Sequence, residues 1–351
     1  MTIKLGTREV YGKILAELGE ENKDIIVLDA DLSGSTRTSE FAGKFPDRFF
    51  NMGVAEQDMM GTAAGLAIGD KIPFASTFAI FATGRAWEQI RQSICLPNLN
   101  VKIVASHGGI TVGEDGGSHH CIEDIALMRI LPNMTVIVPG DGYETEAIVR
   151  TVTDYKGPVY IRTSREKFPV IYSGDCSFEI GKAKIHHIGK DVTIIAYGLM
   201  LHKALDAAKN LRKEGIDVGV INSSTIKPLD KETILEAARL SGAIVTAEEH
   251  SIINGLGSAV AEILVENNPI PMKRVGIRDR FGMSGKSNEL LEHYGLTEKD
   301  VIKAVRDVIS MKKGSYRSRI TPVTNQRLSI KGRKLQDSSQ FTAEISEKIQ
   351  K

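Results

Sequence analysis

A glycine-rich stretch between residues 106 and 120 brings several chemically useful side chains close together in the sequence. Its sequence, SHGGITVGEDGGSHH, places His107, His119 and His120 beside two acids, one of which is Asp115. Imidazoles can donate or accept protons near neutral pH, and carboxylates can bind hydroxyl groups. These groups could also suggest a metal site, but the stretch lacks an H-E-x-x-H pattern or other regular ligand spacing. We therefore interpret it as a loop that binds a polar substrate.

A glutamate at the start of an expected helix is a second candidate. Glu56 lies in the sequence NMGVAEQ, at the beginning of a stretch rich in Gly and Ala. Because a helix dipole stabilises a carboxylate in its first turn, one interpretation is a simple cap. The other is an acid in an apolar pocket, where desolvation favours the neutral form, so that the acid can share a proton with a ligand nitrogen.

Three further groups follow expected strands. DADLSGS contains Asp31 and Ser35, and it fits either an ordinary strand-to-helix turn or part of a site. STFAIF contains Phe78 and Phe81, which either fill the core or offer a stacking surface for a flat ring. Arg165, in TSR, suits a phosphate group or a surface salt bridge.

Alternating apolar strands and amphipathic helices provide the scaffold for these residues. The alternation covers residues 8–162 and again residues 192–309, which predicts an α/β fold of two three-layer domains with mostly parallel sheets. Ligands bind beyond the carboxyl ends of such strands, where the candidate residues lie. The pattern also predicts a helix over residues 86–93 and a closing helix over residues 298–309, capped by Thr297.

Changes in composition suggest the limits of the domains. We expect a first domain over residues 1–170, an irregular linker over residues 171–189 and a second domain over residues 190–310. Residues 311–351 hold ten Lys or Arg and three Asp or Glu, whereas the rest of the chain holds 35 and 41. Because this basic, polar tail has no sustained apolar period, it is expected to be disordered.

The overall composition limits the classes of function. The 351 residues contain 45 Lys plus Arg and 44 Asp plus Glu, so charge gives no argument for binding nucleic acid. The apolar runs are strand-sized and the N-terminus lacks the pattern of a signal peptide, which predicts a cytoplasmic protein without a membrane span. Three cysteines without a C-x-x-C pair predict neither a disulfide framework nor a zinc cage.

Five motifs, taken in order, give the chain a resemblance to a known family. GVAEQ, STFAIF, ASHGGITVGEDGGSH, LPNMTVIVPGD and IRTSR resemble the C-terminal half of transketolase, over about residues 3–310. This resemblance implies a pyrimidine-binding domain followed by the family's C-terminal domain. The family's further domain, which holds thiamine diphosphate by its phosphates and a Mg²⁺ ion, has no counterpart in the sequence. The chain therefore resembles the C-terminal subunit of a split transketolase, and the resemblance implies an N-terminal partner that supplies the Mg²⁺ ligands, in an α2β2 heterotetramer.

The resemblance also implies an activity and a cofactor. The family transfers a two-carbon ketol unit from a ketose phosphate to an aldose phosphate in the pentose phosphate pathway, with thiamine diphosphate as cofactor. By position, Glu56 matches the glutamate that contacts N1′ of the aminopyrimidine, and Phe78 and Phe81 match the aromatic lining around that ring. Asp31 matches an acid near the cofactor.

The same comparison implies roles for the residues that face the substrate. His107 and His119 match catalytic positions beside the sugar phosphate and the transferred two-carbon unit, and Asp115 matches a position that binds a substrate hydroxyl. Further matches to substrate phosphate-binding positions are Arg8, Ser35 and Arg165. No metal ligand is expected from this chain.

Some residues depart from the family pattern. His120 stands where the family usually has Gln, and Gly84 stands where the single-chain enzymes carry a third aromatic residue. His250 follows a strand of the second domain, and we expect it to be structural or interfacial.

Other enzymes share this architecture and its glutamate. The half of deoxyxylulose-phosphate synthase with this fold usually has Asp-Arg where this chain has Ser106-His107, and the β-subunit of 2-oxoacid dehydrogenase E1 lacks the G-E-D-G-x-x-H run. Both differences favour transketolase. The alternative from another class is a non-catalytic assembly partner that keeps only the fold.

Overall fold

A computed structural model describes the backbone of residues 3–320 and the side chains of residues 3–313. The elements of the first half, in chain order, are β1 (Lys4–Gly6), α1 (Thr7–Glu21), β2 (Ile25–Asp29), α2 (Ser33–Thr36), α3 (Ser39–Lys44), β3 (Phe49–Asn51), α4 (Glu56–Ile68), β4 (Ile72–Phe78), a π-helical turn (Phe81–Arg85), α5 (Trp87–Gln89), a second π-helical turn (Ile90–Cys95), β5 (Lys102–Ser106), α6 (Asp124–Arg129), β6 (Thr135–Ile137), α7 (Gly142–Asp154), β7 (Val159–Arg162) and β8 (Lys167–Pro169).

The elements of the second half follow in the same manner. They are β9 (Lys184–His187), β10 (Val192–Ala196), α8 (Gly198–Lys213), β11 (Val218–Asn222), β12 (Thr225–Lys227), α9 (Lys231–Ser241), β13 (Ile244–Ser251), α10 (Leu256–Asn267), β14 (Met272–Ile277), α11 (Ser287–Tyr294) and α12 (Glu298–Ile320).

A seven-stranded sheet with the order β12-β6-β7-β5-β4-β2-β3 organises the first half. All its neighbouring strands are parallel except β12, which is antiparallel to β6. Every residue of β2, β4, β5 and β7 is buried, because helices cover both faces of the sheet. α1 and α7 pack on one face, and α4, α6 and the second π-helical turn pack on the other.

A five-stranded sheet with the order β14-β13-β10-β11-β9 organises the second half. Its strands are parallel except β9, which is antiparallel to β11. α8, α11 and α12 contribute to the core on one face, and α9 and α10 contribute to the core on the other. The predicted class, α/β with mostly parallel sheets, is confirmed.

The two halves share a hydrophobic core. The buried cluster on the α4 face of the first sheet includes Met59 and Met60, and it continues through Ile195 and Ile221 of the second sheet to Val260 of α10. In addition, β12 follows the second sheet's β11 in sequence but pairs with β6 of the first sheet. The domain limits predicted from composition stay a prediction, and β9 lies inside the segment that was expected to be an irregular linker.

The helix predicted over residues 86–93 differs from the observed structure. Over these residues the chain forms the short α5 and the first part of the second π-helical turn, and another π-helical turn precedes them at Phe81–Arg85. A π-helical turn accommodates one residue more than an α-helical turn, which is an effect that apolar periodicity alone does not indicate.

The closing helix begins where it was predicted and ends later. Thr297 Oγ1 accepts a hydrogen bond from the N–H of Asp300, which caps α12 as expected. The helix continues to Ile320, ten residues into the range that was predicted to be a disordered tail. One reason is Lys312, whose ammonium donates to the carbonyls of Ser241 and Asp191. Residues 321–351 of the predicted tail lie outside the described residues. No helix in the described range is long and apolar enough to cross a membrane.

Candidate active site

Except for Arg8, which lies in α1, the predicted site residues lie at or after the ends of five adjacent strands of the first sheet. In the sheet order β7-β5-β4-β2-β3, Arg165 follows β7, His107 follows β5, Phe78 ends β4, Ser35 follows β2 and Glu56 follows β3. Because these five strands are parallel, their carboxyl ends lie at one edge of the sheet. The topology therefore brings residues from distant parts of the sequence to this edge.

Glu56 is a buried acid at the beginning of α4. Its side chain is only 1% exposed, and its carboxylate accepts hydrogen bonds from Nη1 of Arg85 at 2.8 Å to Oε1 and 2.9 Å to Oε2. The guanidinium of Arg85 also lies over the ring of Phe81, 4.6 Å from its centroid. Glu56 is thus a paired, buried carboxylate beside an aromatic ring.

Four rings form an aromatic cluster next to this pair. The rings of Phe78 and Phe81 are stacked with centroids 6.0 Å apart, and His107 stacks on Phe78 at 3.9 Å. His119 meets Phe81 with its edge, at 5.4 Å. The two imidazoles of the glycine-rich loop therefore lie against the two phenyl rings that the sequence analysis selected.

His107 is held in an unusual conformation and environment. Its φ is +61°, in the left-handed region, and its Nδ1 lies 2.8 Å from Oγ of Ser106. Burial, aided by the positive charges of Arg8 and Arg165, lowers the pKa of His107 to about 3. The imidazole is therefore neutral at physiological pH.

A group of arginines lies on the side of His107 towards α1. Arg8 donates from Nη1 to the carbonyl of Ser35 at 2.9 Å, while Nε of Arg8 and Nε of Arg37 are buried without a hydrogen-bond partner among the residues that the structure describes. Burial and the charges of Arg37 and Arg165 lower the pKa of Arg8. Clustered positive groups that retain unsatisfied N–H donors are suited to bind an anion.

Arg165 connects this group to the glycine-rich loop. Its guanidinium donates to the carbonyl of Val112 and lies 3.5 Å from Oδ2 of Asp115. Arg165 and Asp115, both selected from the sequence, are therefore neighbours in the structure.

Asp31 lies further out than the other predicted residues. Its side chain is exposed and accepts a hydrogen bond from Nδ2 of Asn51 at 2.9 Å. The acid that organises this turn is Asp29, which accepts hydrogen bonds from the N–H of Leu32 and from the hydroxyls of Thr36 and Thr38. Burial raises the pKa of Asp29. This arrangement shapes the turn that carries Asp31 and Ser35.

Glu249 of the second domain holds the glycine-rich loop in position. Oε1 of Glu249, in β13, accepts hydrogen bonds from the N–H and the hydroxyl of Thr111, and the carbonyl of Glu249 accepts one from Arg162. A Cβ on Gly109, where φ is +84°, would lie 2.1 Å from Oε1 of Glu249. The loop backbone thus passes so close to Glu249 that only glycine fits there.

Two histidines have structural roles. His120 is buried, and its Nε2 lies 2.8 Å from the carbonyl of Gly113, so this imidazole braces the loop. His250 is also buried: its Nδ1 lies 2.7 Å from the carbonyl of Ser251, and its Nε2 accepts from the N–H of Ala126 in the first domain. The second arrangement agrees with the interfacial role expected for His250.

Three residues of this region were missed by the sequence analysis: Arg85, Arg162 and Glu249. The signal in the sequence next to Arg85 was the departure at Gly84, which stands where the single-chain enzymes carry an aromatic residue. Arg162 and Glu249 end or nearly end buried strands, where a charged residue is uncommon, and that was a usable signal.

Taken together, the edge offers a buried acid, an aromatic surface, a neutral imidazole and a group of arginines. An acid beside aromatic rings can bind a flat nitrogen heterocycle, and the arginines can bind a phosphate. In the described part of the chain, no three His, Cys, Asp or Glu side chains are grouped so that they could hold a metal ion.

Comparisons with known proteins define the class. Residues 3–170 match the family described as transketolase, pyrimidine binding domain, and residues 181–301 match the family described as transketolase, C-terminal domain. The fold and the site thus define a thiamine diphosphate-dependent transferase.

Individual relatives make the class more specific. The putative transketolase C-terminal section of Methanocaldococcus jannaschii is 52% identical over 305 residues, which cover 86% of this chain and 96% of the relative. The 6-deoxy-6-sulfo-D-fructose transketolase subunit SqwH of Clostridium sp. (strain MSTE9) is 43% identical over 305 residues, which cover 87% and 95%. A solved structure described as a split gene transketolase, inactive beta4 tetramer, is 57% identical, covers 88% of this chain and 99% of that chain, and superposes with a TM-score of 0.83. The chain belongs to the transketolase family.

Proposed function

We propose that this chain is the C-terminal subunit of a two-subunit transketolase, which transfers a two-carbon ketol unit from a ketose phosphate to an aldose phosphate. The observation that carries the proposal is the buried carboxylate of Glu56 beside the stacked rings of Phe78 and Phe81. The relatives that are named as a C-terminal section and as a subunit support the same assignment.

The residues at the edge fit the aminopyrimidine of thiamine diphosphate. The carboxylate of Glu56 can share a proton with a ring nitrogen, and the aromatic cluster can line a flat ring. One contact in the structure supports this fit. The guanidinium of Arg85, which like an aminopyrimidine is flat and carries N–H donors, lies against both Glu56 and Phe81. When bound, the cofactor supplies the carbanion chemistry, and the chain supplies binding and orientation.

The substrate is expected on the side of the histidines and arginines. Neutral His107 can donate or accept a hydrogen bond at a sugar hydroxyl or carbonyl, and His119 can exchange a proton near the two-carbon unit. Asp115 is placed to accept a hydrogen bond from a substrate hydroxyl. Arg8 and Arg165 are proposed to bind the phosphate, together with the hydroxyl of Ser35, whose backbone carbonyl already accepts a hydrogen bond from Arg8.

We assign the diphosphate and Mg²⁺ ligands to an N-terminal partner subunit, in an α2β2 heterotetramer. Asp31, exposed at the outer part of the edge, is proposed to lie near the cofactor once the partner is bound. The assembly is measured by light scattering of the mixed subunits: a mass equal to two copies of each supports the stoichiometry, and any other mass contradicts it.

The function is tested by transfer from xylulose 5-phosphate to ribose 5-phosphate, the substrate pair of the pentose phosphate pathway. Activity that appears only when the chain is mixed with an N-terminal subunit, thiamine diphosphate and Mg²⁺ supports the proposal. Glu56→Ala is expected to abolish turnover while the subunits still assemble, and retained turnover would overturn the role of Glu56. A well-formed complex that binds the cofactor but transfers no ketol unit from a panel of ketose phosphates would contradict the proposed reaction.

A further inference from the structure

The guanidinium of Arg85 makes the two contacts that a bound pyrimidine would need. Its Nη1 lies 2.8 and 2.9 Å from the two carboxylate oxygens of Glu56, and its central carbon lies 4.6 Å from the centroid of the Phe81 ring. A guanidinium is planar, delocalised and rich in N–H donors, and it stacks on aromatic faces. Arg85 therefore resembles, in shape and in hydrogen bonding, the ring proposed to bind at the same place.

We propose that Arg85 is an internal occupant of the pyrimidine site, which holds Glu56 in the cofactor-free chain and must move away when the cofactor binds. This inference rests on the proposed function, because it takes Glu56 as the partner of the pyrimidine ring. It adds a residue that determines cofactor affinity.

The contact geometry makes the two occupants mutually exclusive. Nη1 is almost equally distant from both oxygens of Glu56, so it stands directly in front of the carboxylate, where a ring nitrogen would have to approach. The same guanidinium covers the ring of Phe81. Two flat groups cannot occupy one face of one ring at stacking distance.

The burial of the two partners indicates which one moves. The side chain of Glu56 is 1% exposed, whereas that of Arg85 is 48% exposed and has several rotatable bonds. The backbone carbonyl of Arg85 accepts a hydrogen bond from Nε2 of Gln57 at 3.2 Å, which keeps the main chain in place while the side chain rotates. In the free chain the pair also avoids a buried carboxylate without a partner, which would be unfavourable.

A competing occupant lowers the apparent affinity for the ligand. Only the fraction of molecules in which Arg85 has left Glu56 can bind the pyrimidine, so the measured Kd is the intrinsic Kd divided by that fraction. Removing the guanidinium should therefore tighten cofactor binding. A residue that merely supported the site would have the opposite effect when removed.

The test measures the Kd for thiamine diphosphate by titration calorimetry of the complex with the N-terminal subunit and Mg²⁺. Arg85→Ala is expected to lower the Kd roughly tenfold, the size expected for loss of a competing charged hydrogen bond. Arg85→Lys, which keeps the charge without the flat fork, should fall between Ala and the native residue. The matched control is Arg91→Ala, since Arg91 is exposed in the next π-helical turn and its side chain donates only to Gln92 in the described contacts; the Kd of this variant should be unchanged.

Thermal unfolding gives a second readout that does not depend on activity. Arg85→Ala should lower the Tm of the cofactor-free protein and leave the Tm of the cofactor-saturated complex unchanged, because the Arg85–Glu56 contact exists only in the free state. Equal losses in both states, or an unchanged or higher Kd for Arg85→Ala, would overturn the inference while leaving the proposed function standing. If the native complex bound no thiamine diphosphate at all, the proposed function itself would fail and the inference with it.

Discussion

Glu249 and Thr111 are 138 residues apart in the sequence, yet one carboxylate oxygen of Glu249 accepts hydrogen bonds from both the N–H and the hydroxyl of Thr111, at 2.8 and 2.9 Å. Thr111 lies in the loop that carries His107 and His119, and Glu249 lies in β13 of the second domain. The second domain therefore sets the conformation of a loop that belongs to the candidate site of the first domain.

The first prediction concerns this contact. Glu249→Ala leaves the N–H and the hydroxyl of Thr111 without their acceptor and removes a carboxylate that faces the buried guanidinium of Arg162, so it should lower the free energy of unfolding by about 3 kcal/mol. Glu249→Gln keeps an oxygen that can accept the hydrogen bonds from Thr111, so it should lower the free energy of unfolding by less. Urea unfolding of the two variants measures the difference, and a loss below about 0.5 kcal/mol for Glu249→Ala would show that the contact is dispensable.

The second prediction concerns the close approach of the loop to Glu249. Gly109→Ala combines a positive φ with a Cβ placed 2.1 Å from Oε1 of Glu249, so it should destabilise the chain by about 3 kcal/mol or more. Gly215→Ala is the control, because Gly215 has almost the same φ, +83°, but no described atom lies within 4 Å of the added Cβ. Gly215→Ala should lower the free energy of unfolding by only about 1 kcal/mol. Equal losses at both positions would mean that backbone strain alone matters.

The third prediction concerns the pH dependence of stability. In the unfolded chain His107 gains its proton near its ordinary pKa of 6.5, whereas in the folded chain its pKa is lowered to about 3. The unfolded state thus binds more protons between these values, and folding stability falls as the pH decreases from 6.5 towards 3, by up to about 1.4 kcal/mol per pH unit. Above pH 6.5 the residue contributes no pH dependence.

His107→Asn tests this sign, since Asn tolerates a positive φ and does not titrate. Between pH 7 and pH 4 the unfolding free energy should fall less steeply with decreasing pH in the variant. The difference in slope should correspond to about one bound proton, or about 1.4 kcal/mol per pH unit. A parallel pH dependence in the two proteins would show that His107 is not buried in its neutral form.

The fourth prediction concerns the arginines and rests on the proposed function. Arg165→Gln removes a positive charge proposed to bind the substrate phosphate, so the KM for the sugar phosphate should rise roughly tenfold with little change in kcat. The affinity for thiamine diphosphate should not change. Lys167→Gln is a control, because Lys167 pairs with Glu9 on the surface. A fall in kcat at constant KM would place Arg165 in a different role.

The sequence predicted most of the scaffold because the signals were local. Because both faces of the first sheet are covered, its strands β2, β4, β5 and β7 are short apolar runs in the sequence. The polar residues that follow them indicate the carboxyl edge of the sheet. The capping pair Thr297 and Asp300 was likewise evident from three residues of sequence. The roles of the individual site residues came from the family resemblance and stay predictions.

What the sequence did not reveal depends on contacts between distant segments. β12 is only three residues long, and its place beside β6 is decided by tertiary packing rather than by its own pattern. The two π-helical turns were missed because a π-helical turn holds about one residue more than an α-helical turn, which apolar periodicity does not register. The role of Arg85 depends on the orientation of its side chain, and the role of Glu249 depends on a contact between the two domains. Neither can be predicted from the spacing of residues along the sequence.

The place of β12 also bears on how the chain can be divided. A cut within residues 171–183 would separate the two halves covalently, but β12 would still supply the edge strand of the first sheet, and the shared core would remain buried between the fragments. Such a nicked protein should stay together as a non-covalent pair. Each half expressed by itself would instead expose an unpaired strand edge and an apolar face, the two features that favour aggregation.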